Sequence, residues 1–406
     1  GCRAAASKDP STKRGLEMKT IRRIAIAPMM IVCTVCLVLY LSPVASSPQE
    51  SDYNATQATM RGIFITLMTV YKYSLVPEEF EDPSNNAQIQ GTLQALVANA
   101  SELERHGGGL NPSFGYMRRS LAKDANDALN RFNQGQYMGS RFVISRITEN
   151  CVTCHTKLPT RGEFDVGAQF LEEIKPKKLQ PADRVTIELA ARQFDAALKT
   201  YEQMFADPEM TPEDLALLGA FEGYLRVCIG ALNDTKRPIQ TFSAYVQRED
   251  VPAPQKKLTG GWIKALEATD MTSAEGQELP AARALLEKAE ANRKHPSDRS
   301  RLVDYVVVTT LLHRYIESGP ENNVDVAEAY YLMGVAESRI TRSYWISETD
   351  FLLEQAIRKA PKSPVAKQAY DFLAEYTISG HLETSAREVS PELKANMEEL
   401  RALIEN

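Results

Sequence analysis

Residues 140–155, "SRFVISRITENCVTCH", decide how the chain is to be read. Val143, Ile147, Cys151 and Cys154 fall at i, i+4, i+8 and i+11, which is one stripe of an α-helix. His155 lies one turn beyond Cys151. Two thiols one turn apart, with an imidazole beside the second, therefore close an amphipathic helix. Such a cluster serves as a redox dithiol, as half of a zinc site, or as the attachment point of a covalently bound haem. Those three uses need different surroundings, and the rest of the chain discriminates between them.

Three further amphipathic segments precede this one. Thr56–Leu75 contains "MRGIFITLMTVYKY", apolar around most of its circumference. From about Ala87 to His106, the residues Ile89, Leu93, Leu96, Val97, Ala100 and Leu103 recur at helical spacing. Arg105 and His106 then stand before "GGG", where cations suit the negative end of a helix and glycine suits its left-handed stop. His106 thus reads as a C-terminal cap and not as a ligand. The third segment opens at "NPSFGYM", with Asn111 or Ser113 as cap, and lines up Phe114, Met117, Leu121, Ala128 and Phe132 before "NQGQ" ends it. Four helices with short connections predict an antiparallel bundle, with the cysteine cluster at the end of its last helix.

Length and composition set the frame. The 406 residues, 43% hydrophobic and 25% charged, are those of an ordinary globular protein, and the length predicts two domains. Alternating strand-like runs are nearly absent, so an all-α fold is expected. At the start, Met18, Lys19, Arg22 and Arg23 precede the apolar run Ile24–Leu41 and then "SPVASS". That order resembles an export signal over residues 18–47, cut near Ser46 or retained as a membrane anchor, with residues 1–17 reading as upstream read-through. The remainder of the chain is expected outside the cytoplasm, as in a periplasmic protein. Residues 1–47 carry seven basic and two acidic side chains, so the overall charge of −6 leaves −11 on the rest. An acidic exported protein is a poor nucleic-acid binder and favours basic partners.

Cysteine usage agrees. Cys2, Cys33 and Cys36 fall in the N-terminal segment, leaving Cys151, Cys154 and Cys228. Cys228, inside "YLRVCIGAL", is expected as a buried free thiol, and a disulfide framework is excluded. A thioredoxin-type dithiol needs a βαβ setting, which the pattern lacks. A zinc site needs two further ligands at workable spacing, and none stands nearby. A haem needs only what is present. The motif therefore reads as attachment of one covalent haem c through Cys151 and Cys154, with His155 as proximal iron ligand. A bare thiol pair and a partial metal site are the alternatives.

With these residues in place, positions 53–161 resemble the cytochrome c-prime family, exported four-helix bundles with "CxxCH" near the end of the fourth helix. The resemblance extends to "MRGIFITLM" in the first helix. There it implies that Arg61 meets a haem propionate and that Ile65, four residues on and on the same helix face, covers the open iron. Where the family has an arginine four residues after the histidine, this chain has Pro159, with Arg161 two beyond. Met60 and Met68 flank the distal position, and a thioether from either is the alternative sixth ligand.

Residues 162–181, with prolines, a glycine and "KPKK", read as a linker. From residue 182 the pattern becomes paired helices up to about 380, with 381–406 as a capping segment. "RVTIELAARQFDAALKTYEQMF" leads to "TPEDLALLGAFEGYLRVCIGAL", where Thr211 and Pro212 make a helix start. Leu332, Gly334, Leu353, Ala356 and Pro361 resemble the small/large pattern of a tetratricopeptide repeat, about three residues longer than its ~34-residue period. An irregular helical domain is the plainer alternative. His295, His313 and His381 read as exposed, capped or packed residues, and Trp262 and Trp345 as packing anchors. No nucleophile–base pair, phosphate loop or metalloprotease motif is present, so no catalytic residue is expected and the chain does not read as an enzyme. The combined expectation is an exported one-haem cytochrome that carries electrons, its helical-repeat domain docking a redox partner protein. Two other uses compete: binding or sensing NO or CO at a five-coordinate iron, and a scaffold in which the haem is structural.

Overall fold

Proline opens many of the helices. Pro77, Pro112, Pro181, Pro212, Pro364 and Pro391 are each the first residue of one, where a missing N–H costs nothing and φ is already helical. The computed structural model describes residues 48–105, 112–157, 167–168, 171, 179–340, 348–383 and 391–405. Every described element is helical, so the protein is all-α, as its periodicity predicts. The apolar run at 24–41 lies outside the described residues, as do His106, the "GGG" stretch, Trp345 and most of 162–178. Among the described residues no helix is long and apolar enough to cross a membrane.

The first core is built by four long helices: α1 (Pro48–Ser74), α3 (Asn86–Arg105), α4 (Pro112–Asn133) and α5 (Tyr137–Lys157), with the short α2 (Pro77–Glu81) between the first two. Where their side chains are described, the expected stripes are buried; those of Phe114 and Cys154 lie outside the described residues. Ile89, Leu93, Leu96, Ala100 and Leu103 of α3 face Met117, Leu121, Ala128 and Phe132 of α4 and Val143 and Ile147 of α5 in one cluster. Ile63, Leu67, Met68 and Val70 of α1 complete it. The α4–α5 turn forms where "NQGQ" breaks the pattern, because Gly135 takes φ +71°, a conformation costly for any residue with a Cβ. Arg141 donates from Nε to the carbonyl of Ser74 at 2.7 Å, tying the start of α5 to the end of α1.

The second core runs through α6 (Pro181–Ala190), α7 (Phe194–Ala206), α8 (Pro212–Leu217), α9 (Ala220–Leu225), the π-helical segment Arg226–Ala231, α10 (Lys236–Tyr245), α11 (Ala253–Glu267), α12 (Glu278–Ala291), α13 (Leu302–Glu317), α14 (Asn323–Ile340), α15 (Thr349–Lys359), α16 (Pro364–Glu383) and α17 (Pro391–Glu405). Helices adjacent in sequence are mostly packed together. The helix start expected at Thr211 and Pro212 is the start of α8, and there Thr211 makes a reciprocal capping box with Asp214. Phe205, Phe221, Tyr224, Phe242, Tyr245 and Trp262 form a continuous aromatic cluster with tilted and edge-on contacts. Such pairs add roughly 0.5–1.5 kcal/mol each beyond their buried area. Trp262 also donates from its ring nitrogen to the carbonyl of Arg299 at 2.8 Å, so it is the anchor expected of it. Cys228 is fully buried and free. His313 is buried and His295 exposed.

Two positions in this core need glycine for close approach. A Cβ on Gly223 of α9 would lie 2.1 Å from the Tyr201 hydroxyl of α7. One on Gly334 of α14 would lie 3.0 Å from Leu353 of α15.

One stretch departs from its apparent continuity. "RVTIELAARQFDAALKTYEQMF" divides into α6 and α7 at Arg192, whose φ of +56° is left-handed without a glycine to signal it. The break lets α6 serve both cores: Val185 and Leu189 belong to the second, while Ile187, Ala190 and Ala191 belong to the first. Residues 52–406 gather into one compact unit around these two cores.

Candidate functional site

The cysteine cluster occupies the last two turns of α5, between the end of α6 and the π-helical segment, both of which it touches. The helix persists to Lys157 because nothing in "NCVTCHTK" breaks it. Thr148 and Thr156 turn their hydroxyls inward, donating to the carbonyls of Ile144 and Val152 at 3.1 and 3.0 Å, so neither presents an unmet donor to the core. Cys151 is half-buried against the first core. Burial pushes its thiol up to about 12. A thiol that stays protonated is a weak nucleophile. The Cys154 side chain lies outside the described residues.

His155 is buried, 7% exposed. Burial pulls it down to about 4, and the positive charge of Arg192 adds to the effect, while the backbone of Leu189 and Ala190 against the ring opposes it. The imidazole is therefore neutral at physiological pH, and its Nδ1 makes no hydrogen bond. A neutral ring with an open nitrogen is the state in which histidine ligates a metal. Among the described residues, which do not include the Cys154 side chain, no group of three His, Cys, Asp or Glu side chains could hold a metal ion.

A covalent haem fits this end of α5 in its chemistry. Cys151 and Cys154 would carry the thioether bonds, and the orphaned ring nitrogen of a buried, neutral His155 answers the need for a proximal ligand. On α1 the expected partners divide. Met68 is fully buried in the first core and Met60 is half-buried beside it. Arg61 is exposed, and Ile65 is 49% exposed. In this conformation Arg61 and Ile65 thus share the solvent face of α1, while His155 is buried among α5 and α6 residues, so the three are not gathered on one enclosed surface.

The residues that set the state of His155 were not legible beforehand. Leu189, Ala190 and Arg192 follow it by more than thirty residues, and nothing in their spacing announces contact. A helical run with no glycine or proline at the break hid the left-handed turn at Arg192 that brings its charge to the ring. No family model, curated protein or solved structure matches the chain.

Proposed function

We propose that the chain is an exported, periplasmic c-type cytochrome that holds one covalent haem c and carries electrons. In this reading α1, α3, α4 and α5 make a cytochrome c-prime-like haem bundle, and the helices from α6 onward make a tetratricopeptide-like solenoid that docks a redox partner protein. What carries it is the string Cys151–x–x–Cys154–His155 closing a helix, with the imidazole buried and neutral. Bound there, haem supplies a one-electron couple or a seat for a small gas. The chain's own residues would do the rest: the two thiols would fix the group's position, His155 would offer a ring nitrogen to the iron, and α6 would shield that ring from water. Support for the solenoid comes from Gly223 and Gly334, each admitting a bulky side chain of a neighbouring helix.

The direct test is a denaturing gel of protein from cells competent in c-type maturation, stained for haem peroxidase activity. A stained band that disappears on Cys151→Ala plus Cys154→Ala is expected. An unstained wild-type band sinks the reading.

One observation favours a second use. Met68 is wholly enclosed by the first core, and drawing its thioether to an iron would leave a cavity costing several kcal/mol, on the order of that for a large-to-small core substitution. An iron with no sixth protein ligand binds NO or CO, which makes gas binding the alternative function at this same site.

A further inference from the structure

Immediately after His155, Thr156 contributes to the wall of a cavity of about 260 Å³. Its other walls are the π-helical segment and the turn that follows it, the second half of α13, and Met333 of α14. Three features suggest a built site. First, the backbone widens into a π-helix here, a departure from α geometry that is rare and concentrated at functional sites. Second, Gly230 in the wall lies between two polar groups: a Cβ there would come into ordinary contact with the Thr156 carbonyl at 3.4 Å and the Thr310 hydroxyl at 3.7 Å.

Third, one cation of the lining has no partner among the described residues. Arg226 is committed to Glu337 at 2.5 Å. Arg314, half-buried in the same wall, makes no ion pair or side-chain hydrogen bond with any described residue. A guanidinium in that position selects a planar oxyanion that it can grip through two N–H groups. Val306 and Met333 add apolar surface to the same lining. A cation and hydrocarbon lining one cavity match a small anion with a short apolar tail. Glu317, exposed at the rim, disfavours a second negative charge. The volume lies just under the ~300 Å³ at which pockets for larger ligands begin, so the occupant has only a few heavy atoms.

We propose that this cavity binds a short-chain monocarboxylate, its carboxylate on Arg314 and its tail against Val306 and Met333. The bound acid would bridge the end of α5 and the helices of the second core. The site does not depend on the haem reading, since every residue it uses lies beyond His155.

Calorimetric titration of the full chain with butyrate, and separately with inorganic phosphate, tests this. Saturable one-to-one binding of butyrate is expected in the ~0.1–1 mM range, corresponding to roughly 4–5.5 kcal/mol. Arg314→Gln should weaken it about ten-fold or more, and Arg314→Lys, which keeps the charge but loses the fork, by less. The unfolding temperature of each variant without ligand shows that it is folded. Absence of saturable heat up to ~10 mM butyrate overturns the proposal. So does unchanged affinity in both folded variants. Phosphate binding more tightly than butyrate would mean a general anion site and would overturn the carboxylate class.

Discussion

At the scale of single residues, the proposed haem makes the side chains of α1 candidates to face its iron. Met68 is sealed in the first core and Ile65 is half in solvent. If the first helix keeps this rotation, neither methionine would reach the iron of the proposed haem, which would then be expected to be high-spin. Replacing Met60 and Met68 together with leucine conserves volume and should cost under about 1.5 kcal/mol at each site. The optical and EPR spectra of the haem protein should then be those of the wild type. A low-spin wild-type spectrum that turns high-spin in the double variant would show that a thioether is the sixth ligand, and gas binding would give way to electron transfer alone.

At the scale of helices, Gly334 is the position where one side chain controls a packing distance. A Cβ there would meet Leu353 at 3.0 Å and Leu352 at 3.4 Å, both on α15. Gly334→Val puts three carbons into that contact, and overpacking of this kind costs about 1–3 kcal/mol. The gain in helix propensity over glycine offsets only a few tenths of that. Urea denaturation should show the loss as a lower midpoint. In the double variant with Leu353→Ala, the two costs should be less than additive, because the alanine makes the room that valine needs. Strict additivity would mean that α14 and α15 are not held apart by this pair.

The whole molecule turns on α6. It contributes Ile187, Ala190 and Ala191 to one core and Val185 and Leu189 to the other. The proposed domain boundary, residues 162–181, thus ends at the start of a helix that both cores share. Limited proteolysis is expected to cut first within "KPKKLQPAD", residues 175–183, where the lysines precede α6. Calorimetry should resolve two transitions if each half folds as its own unit, the shared helix coupling but not merging them. A single transition with equal calorimetric and van't Hoff enthalpies, together with resistance at 175–183, would mean one cooperative domain.

The sequence by itself determined the helical class, the buried stripes of α3, α4 and α5, the helix start at Thr211 and Pro212, the buried thiol of Cys228 and the place of the Cys–x–x–Cys–His string at a helix end. These are all local: 3.6-residue periodicity, caps and breakers act within a few turns, so they can be read without knowing the fold. Only the tertiary structure decided which way α1 turns. "MRGIFITLMTVYKY" is apolar around most of its circumference, so its period names no buried face, and the neighbours set the rotation that buries Met68 and exposes Ile65. The same holds for Arg192 beside His155, for the sharing of α6 and for the cavity at Arg314. Each is a meeting of residues tens to more than a hundred positions apart, fixed by how helices dock and not by anything their spacing encodes.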